Sequence, residues 1–161
     1  METKTAADTA AREYLSFVLG ESQYGIDILK VQEIRTYETP TRIANTPPFI
    51  KGVMNLRGNI VPIIDLRVKF GMPDQKLDTQ TVVIVLNVAR RTVGVVVDGV
   101  SDVVSVPSGE VKPPPEFWGA IDTRFLQGLA AVGEQMLILI DIERLMSSRE
   151  MSLIDEAAET Q

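Results

Sequence analysis

Histidine and cysteine are both missing from this 161-residue chain, and the two absences remove a large share of enzyme chemistry. Without them the Ser-His-Asp and Cys-His nucleophile systems and the common zinc sites cannot be assembled from this chain alone. The lack of cysteine also excludes a disulfide framework and agrees with a reducing compartment, the cytoplasm by default. Aromatic residues make up only 6% of the chain, and no apolar run is long enough to span a bilayer, so no membrane insertion is expected. Clustered cations are scarce as well. A net charge of −6 and a pI near 4.7 argue against a phosphate-tracking surface, and nucleic acid is not an expected partner. The opening stretch METKTAADTAAR has no apolar segment of the secretory kind and reads as a disordered tail over residues 1–13. Carboxylate pairs could still perform acid–base work, but the acidic residues sit mostly at strand ends and turns, where capping and solubility explain them. No catalytic residue, metal ligand or cofactor is expected.

What the chain does have is a repeat. Sliding FIKGVMNLRGNIVPIIDL forward by 76 positions lays it without a gap on FLQGLAAVGEQMLILIDI. Phe49, Gly52, Ile64 and Asp65 fall on Phe125, Gly128, Ile140 and Asp141, and apolar positions between them coincide where the letters differ. Upstream, YLSFVLGESQYGIDI from Tyr14 lies on VIVLNVARRTVGVVV from Val83 at an offset of 69, with Gly25 on Gly94. The growth of the offset places seven extra residues in a proline-rich loop of the second copy.

Each copy holds about five short stretches rich in Val, Ile, Leu and aromatics, bounded by Gly, Pro, Asn or Asp, which is how small strands read. They fall near 15–19, 24–28, 32–37, 52–56 and 59–65, then near 82–88, 92–97, 102–106, 126–132 and 135–141. VVIVLNV and MLILIDI are nearly continuous apolar runs, suited to strands covered on both faces and so placed between the two units. Five short strands leave costly edges unless the sheet curls closed. The expected architecture is therefore all-β: two small five-stranded barrels packed together, with about 14–80 in one and 81–146 in the other unless elements are exchanged. Helix is scarce. Asp65 can cap LRVKF, with Gly71 as a stop, and Asp141 can cap IERLM. Met151, Ile154 and Ala158 recur at helical intervals, which predicts a short C-terminal helix over about 147–157 and a frayed end at 158–161.

Shared letters point to the fold, and broken symmetry points to function. Gly52 and Gly128 are expected where a side chain would obstruct the backbone. Arg57, by contrast, faces Gly133, so a long cation stands where the other copy has no side chain. Arg57 either holds its own loop by pairing with an acid, for which Glu33 is the candidate, or borders a partner's site. Val31 shares a face with Glu33 if the segment is extended, and is otherwise an ordinary core valine. The proline-stiffened loops TPTRIANTPPFIKG and SVPSGEVKPPPEFWGAIDTRFLQG are the second place to look. Ile43, Phe49, Phe117 and Trp118 in them are either lids on their own barrels or anchors for partners.

Three runs carry a resemblance: YGIDILKVQEI, IANTPPFIKGVMNLRGNIVPIIDLR and TVGVVVDGVSDVV. They resemble the CheW family of chemotaxis coupling proteins, over about residues 14–155, and NLRG-x-IVPIIDLR is specific to that family and its relatives. The resemblance implies two SH3-like barrels around a shared apolar core. It also implies a non-enzymatic adaptor, cytoplasmic and recruited to membrane-associated receptor arrays. Such an adaptor joins the cytoplasmic tips of methyl-accepting chemoreceptors to the regulatory domain of the histidine kinase CheA. By similarity, the receptor hairpin lies in the groove between barrels and touches Val31, Glu33, Gly52, Arg57 and Val103. The kinase would meet Ile43, Asn45, Thr46 and Lys51 on the first loop, and Lys112 and Phe117 on the second. The alternative is a module binding a small ligand in the inter-barrel groove.

Overall fold

The computed structural model describes residues 11–72, 77–88, 90–114 and 125–146. Phe117, Trp118 and the C-terminal helix expected over 147–157 lie outside these residues. Ten strands lie among the described residues. The first repeat contributes β1 (Ala11–Leu19), β2 (Ser22–Asp27), β3 (Val31–Thr36), β4 (Ile50–Leu56) and β5 (Asn59–Asp65). The second contributes β6 (Val82–Val88), β7 (Arg91–Val97), β8 (Gly99–Pro107), β9 (Leu126–Val132) and β10 (Gln135–Ile140). Strand β1 begins at Ala11, inside the stretch expected to be tail, because it pairs along β8 from Ala11 opposite Pro107 onward.

The strands form two five-stranded sheets with the orders β8-β1-β2-β10-β9 and β3-β6-β7-β5-β4. Replacing every strand by its repeat counterpart turns one order into the other. Neither sheet is built from one repeat alone: each takes three strands from one copy and two from the other. The copies are joined inside each sheet by a parallel pairing, β2 with β10 and β5 with β7. Each sheet is also tied end to end by its own chain. Thr41, just beyond β3, bridges to Val53 on β4, and Lys112, just beyond β8, bridges to Leu129 on β9. Both bridges carry two backbone hydrogen bonds of 2.8–2.9 Å, which removes the exposed edge that an open five-stranded sheet would present.

Side-chain alternation explains the continuous apolar runs. On β6, Val83 and Val85 point into their own barrel beside Leu56, Val61, Ile63 and Val96, whereas Ile84, Leu86 and Val88 enter the core shared between barrels. Strand β10 divides in the same way, Leu137 and Leu139 inward with Tyr14, Val106 and Ala130, Ile138 and Ile140 to the shared core. The two inner cores are small. The shared one is larger and draws Phe17, Tyr24 and Ile26 from one sheet and Ile64, Val93 and Val95 from the other. Tyr24 stacks on Phe17 at 5.9 Å and on Phe70 at 6.1 Å, carrying aromatic contact across the join. Each fully buried Val, Leu, Ile or Phe is worth about 1.5–3 kcal/mol, so most of the apolar stabilisation depends on the barrels remaining together.

Two four-residue helices, Leu66–Lys69 and Ile142–Leu145, start at the expected aspartates. Asp65 Oδ1 accepts the Arg67 N–H at 2.9 Å, and Asp141 Oδ1 accepts the Arg144 N–H at 3.2 Å.

Candidate protein-docking surfaces

The NLRG run is the hairpin turn between β4 and β5. Arg57 has φ 53° and Gly58 φ 90°, so both central residues are left-handed, as a two-residue hairpin of the primed kind requires. Asn55 fixes the turn by accepting the Gly58 N–H on Oδ1 at 2.9 Å. For arginine this backbone costs about 1 kcal/mol; the second repeat places Gly133, φ 62°, at the same point. The strain aims the Arg57 guanidinium at β3, where Nη2 donates to the Glu33 carboxylate. Glu33 also accepts from Arg35 Nη1 at 3.3 Å. The hydrogen bond from Arg57 holds the Glu33 carboxyl below its ordinary range, and the same bond raises Arg57. The pair expected from sequence is present, at a solvent-facing position: the Arg57 side chain is 65% exposed.

Val31 and Glu33 are both half-buried, although a bulge in the β3–β6 pairing lies between them. Val31 packs against the shared core. Val103 stands on β8, at the outer end of the other sheet, and is 49% exposed. Its repeat counterpart on β3, Ile34, is also exposed; sequence reasoning passed over it, yet the 69-residue offset would have found it. Leu29 is a second omission. It is 87% exposed on the 3-10 turn Ile28–Lys30, which is held by Asp27 accepting the Leu29 N–H.

Gly52 occupies a different position from the other residues expected to meet a receptor. It is buried, has φ 144°, and a Cβ there would fall 2.0 Å from the Thr41 carbonyl oxygen. Its counterpart Gly128 would meet the Lys112 carbonyl at 2.7 Å. Both glycines let the strand that closes the barrel reach its neighbour. This is the obstructed backbone that the repeat implied.

The first loop gathers Ile43, Asn45, Thr46 and Lys51 around one cleft of about 390 Å³, with Arg42 and Pro47 in the same wall. Asn45 is left-handed at φ 65°, and Thr46 Oγ1 donates to the Ile43 carbonyl at 3.2 Å. On the second loop Lys112 is exposed beside the bridge to β9.

Beneath the first loop lies a buried ion network that the sequence did not disclose. Arg67, 2% exposed, donates Nε and Nη2 to the two oxygens of Asp65 and Nη1 to Asp98 Oδ1, each at 2.9 Å. Asp98 Oδ2 accepts the Gly20 N–H at 2.7 Å, so one carboxylate ties the β1–β2 turn of one sheet to the helix of the other. Among the described residues no group of His, Cys, Asp and Glu could hold a metal ion, and no helix is long and apolar enough to cross a membrane.

A family model described as the CheW-like domain matches residues 13–150. The chain belongs to the CheW-like family. It is 60% identical to the chemotaxis protein CheW of Klebsiella aerogenes, over 98% of this chain and 95% of that protein. It is 36% identical to a probable chemotaxis protein CheW of Rhizobium etli, over 86% of this chain and 90% of that one. Among solved structures, the crystal structure of the scaffolding protein TtCheW from Thermoanaerobacter tengcongensis superposes with a TM-score of 0.76 at 35% identity. That match covers 80% of this chain and 88% of that one. The fold is accordingly the double SH3-like barrel of the CheW-like family, a chemotaxis scaffold and adaptor family.

Proposed function

We propose that this chain is a non-enzymatic adaptor that holds chemoreceptor tips and the histidine kinase CheA on one stiff body, in the cytoplasm at membrane-associated receptor arrays. The observation that carries this reading is the equivalent placement of the two barrel-closing segments. Thr41, bridged to β4, and Lys112, bridged to β9, occupy the same point of two barrels that share a core. Loops attached at those points can engage two copies of a double-barrel partner on opposite sides, which supports rings in which adaptor and kinase regulatory domain alternate. Ile43, Asn45, Thr46 and Lys51 serve one contact, Lys112 and Phe117 the other.

Edge strands β3 and β8 are also repeat equivalents, and they carry Val31, Glu33 and Val103 for the receptor hairpin, with Arg57 reaching Glu33 from the neighbouring turn. Gly52 acts on this surface indirectly, by letting β4 accept the closing strand. A shared core makes the two contacts move together, which is what coupling through simultaneous binding requires, and individually weak contacts gain strength in an array through effective concentration.

The test is a three-component assay of receptor tip, CheA and this chain, read as kinase output. Receptor control of the kinase should appear only when the chain is present. Phe117→Ser should keep the fold and receptor binding while weakening kinase binding. Equal kinase output with and without the chain would overturn the reading.

A further inference from the structure

The wall between the two clefts of the first loop is cationic, and among the described residues no carboxylate pairs with it. Arg42 and Lys51 line both the cleft of about 390 Å³ and a second of about 200 Å³, which Tyr37, Asp65 and Arg67 also border. The Thr41–Val53 bridge sets Arg42 and Lys51 on adjoining antiparallel segments. Gly52 makes that approach possible, since the place of its missing Cβ is 3.2 Å from the Arg42 Cα.

Arg42 and Lys51 stand side by side without a carboxylate partner; Arg90 and Lys112 also form no ion pair among the described residues, but neither has a second cation on the adjoining segment of a shared cleft wall. Arg12, Lys30, Arg35, Arg57, Arg67 and Arg144 each form an ion pair with a carboxylate, whereas among the described residues Arg42 and Lys51 form none. This happens in a chain of net charge −6, where carboxylates outnumber cations. The carboxylate that borders the second cleft, Asp65, is 1% exposed and bound through both oxygens by Arg67, so it does not offset them. The second repeat also lacks the pair. Aligning the two bridges puts Pro113 opposite Arg42, and the 76-residue offset puts Gln127 opposite Lys51.

We infer that Arg42 and Lys51 form a docking point for an acidic protein segment, two carboxylates of which fill the paired clefts while the apolar side of the loop packs beside them. The inference rests on the reading of this loop as a kinase contact and specifies the chemistry of the partner there. Two neighbouring cations repel each other in the free protein, and a partner's carboxylates relieve that repulsion on binding. Such rim charges act mainly on association rate and partner choice, and salt screens them. Prolines 40, 47 and 48 flank the pair and limit the ordering that binding demands.

The experiment measures binding of the CheA regulatory domain to the full chain across a sodium chloride series. The variants are R42Q with K51Q, R42E with K51E, and the charge-preserving R42K with K51R. The reversal variant should bind at least about tenfold more weakly at low salt and lose the salt dependence seen in wild type. The charge-preserving variant should bind within about threefold of wild type, and all three should bind receptor tips as wild type does, which checks the fold. Wild-type binding that ignores salt, or an R42E/K51E chain that binds as tightly as wild type, overturns the inference and leaves the kinase contact standing as an apolar one. Absence of any wild-type binding overturns both.

Discussion

The two short helices begin alike and diverge within one turn. Asp65 and Asp141 each cap their helix with a side-chain oxygen, Asp65 on the amide two residues on and Asp141 on the amide three residues on, but two residues past the cap the first has Arg67, buried and holding Asp65 and Asp98, and the second has Glu143, exposed and paired with Lys30 at the surface. Asp98 itself stands where the first repeat has the exposed Leu29. Duplication kept what the backbone needs, namely caps and close-approach glycines, and released the other positions for tasks that occur once. The inter-barrel tie is made from two such released positions, one in each copy.

Arg67→Met should show this most strongly. Removing the guanidinium leaves Asp65 buried and uncompensated, a loss of about 3–5 kcal/mol, read as a lower midpoint in urea unfolding. Glu143→Gln at the matching position should change stability by less than about 0.5 kcal/mol. Similar costs at the two sites would mean that the tie does not distinguish the repeats.

The glycines sharpen the comparison from the conserved side. Gly52→Ala places a methyl against a backbone carbonyl at 2.0 Å and at φ 144°, and should cost about 3 kcal/mol. Gly128→Ala lacks the positive φ and has a longer contact of 2.7 Å to the Lys112 carbonyl, so about 2 kcal/mol is expected. Both should expose the amides of the closing bridges, Thr41 and Lys112, to hydrogen exchange. Unaltered protection at those amides would remove the close-approach role assigned to the glycines.

These particulars also mark how far the sequence could be read. Periodicity and the two offsets located all ten strands and both capped helices, because alternation and capping are local and were written twice. Arg57 and Glu33 were paired from a broken repeat and an acid with a free face. Strand exchange was harder. Nothing local in β5 indicates that it will lie beside β7, and a parallel pairing between repeats is settled only when the shared core assembles. The Arg67 network was hidden for a similar reason: Arg67 and Asp98 are far apart in sequence, and an arginine after a cap reads as a solvent-facing helix residue. Arg42 gave no sign because an unpaired cation is recognised only once its neighbours are known.

The smallest effect on stability, and the most informative for function, is expected from Arg57→Gly, which makes the first hairpin resemble the second. Glycine adopts φ 53° without the arginine's penalty, and the ion pair that is lost is solvent-facing. The two changes oppose each other, so the midpoint of urea unfolding should stay close to that of wild type. Receptor binding should fall even so, because the contact disappears while the turn remains. The Glu33 carboxyl reports the same event. Its value in the folded protein is depressed below 4.5, so its contribution to stability is present above the unfolded value and is lost as pH falls through the folded one. In Arg57→Gly, the Glu33 titration followed by NMR should shift upward toward the ordinary value, with Arg35 retaining part of the depression. The fall in stability on acidification should become shallower in that window. If instead the variant unfolds at a clearly lower urea concentration than wild type at neutral pH, Arg57 serves its own loop first, and the difference between the hairpins belongs to folding.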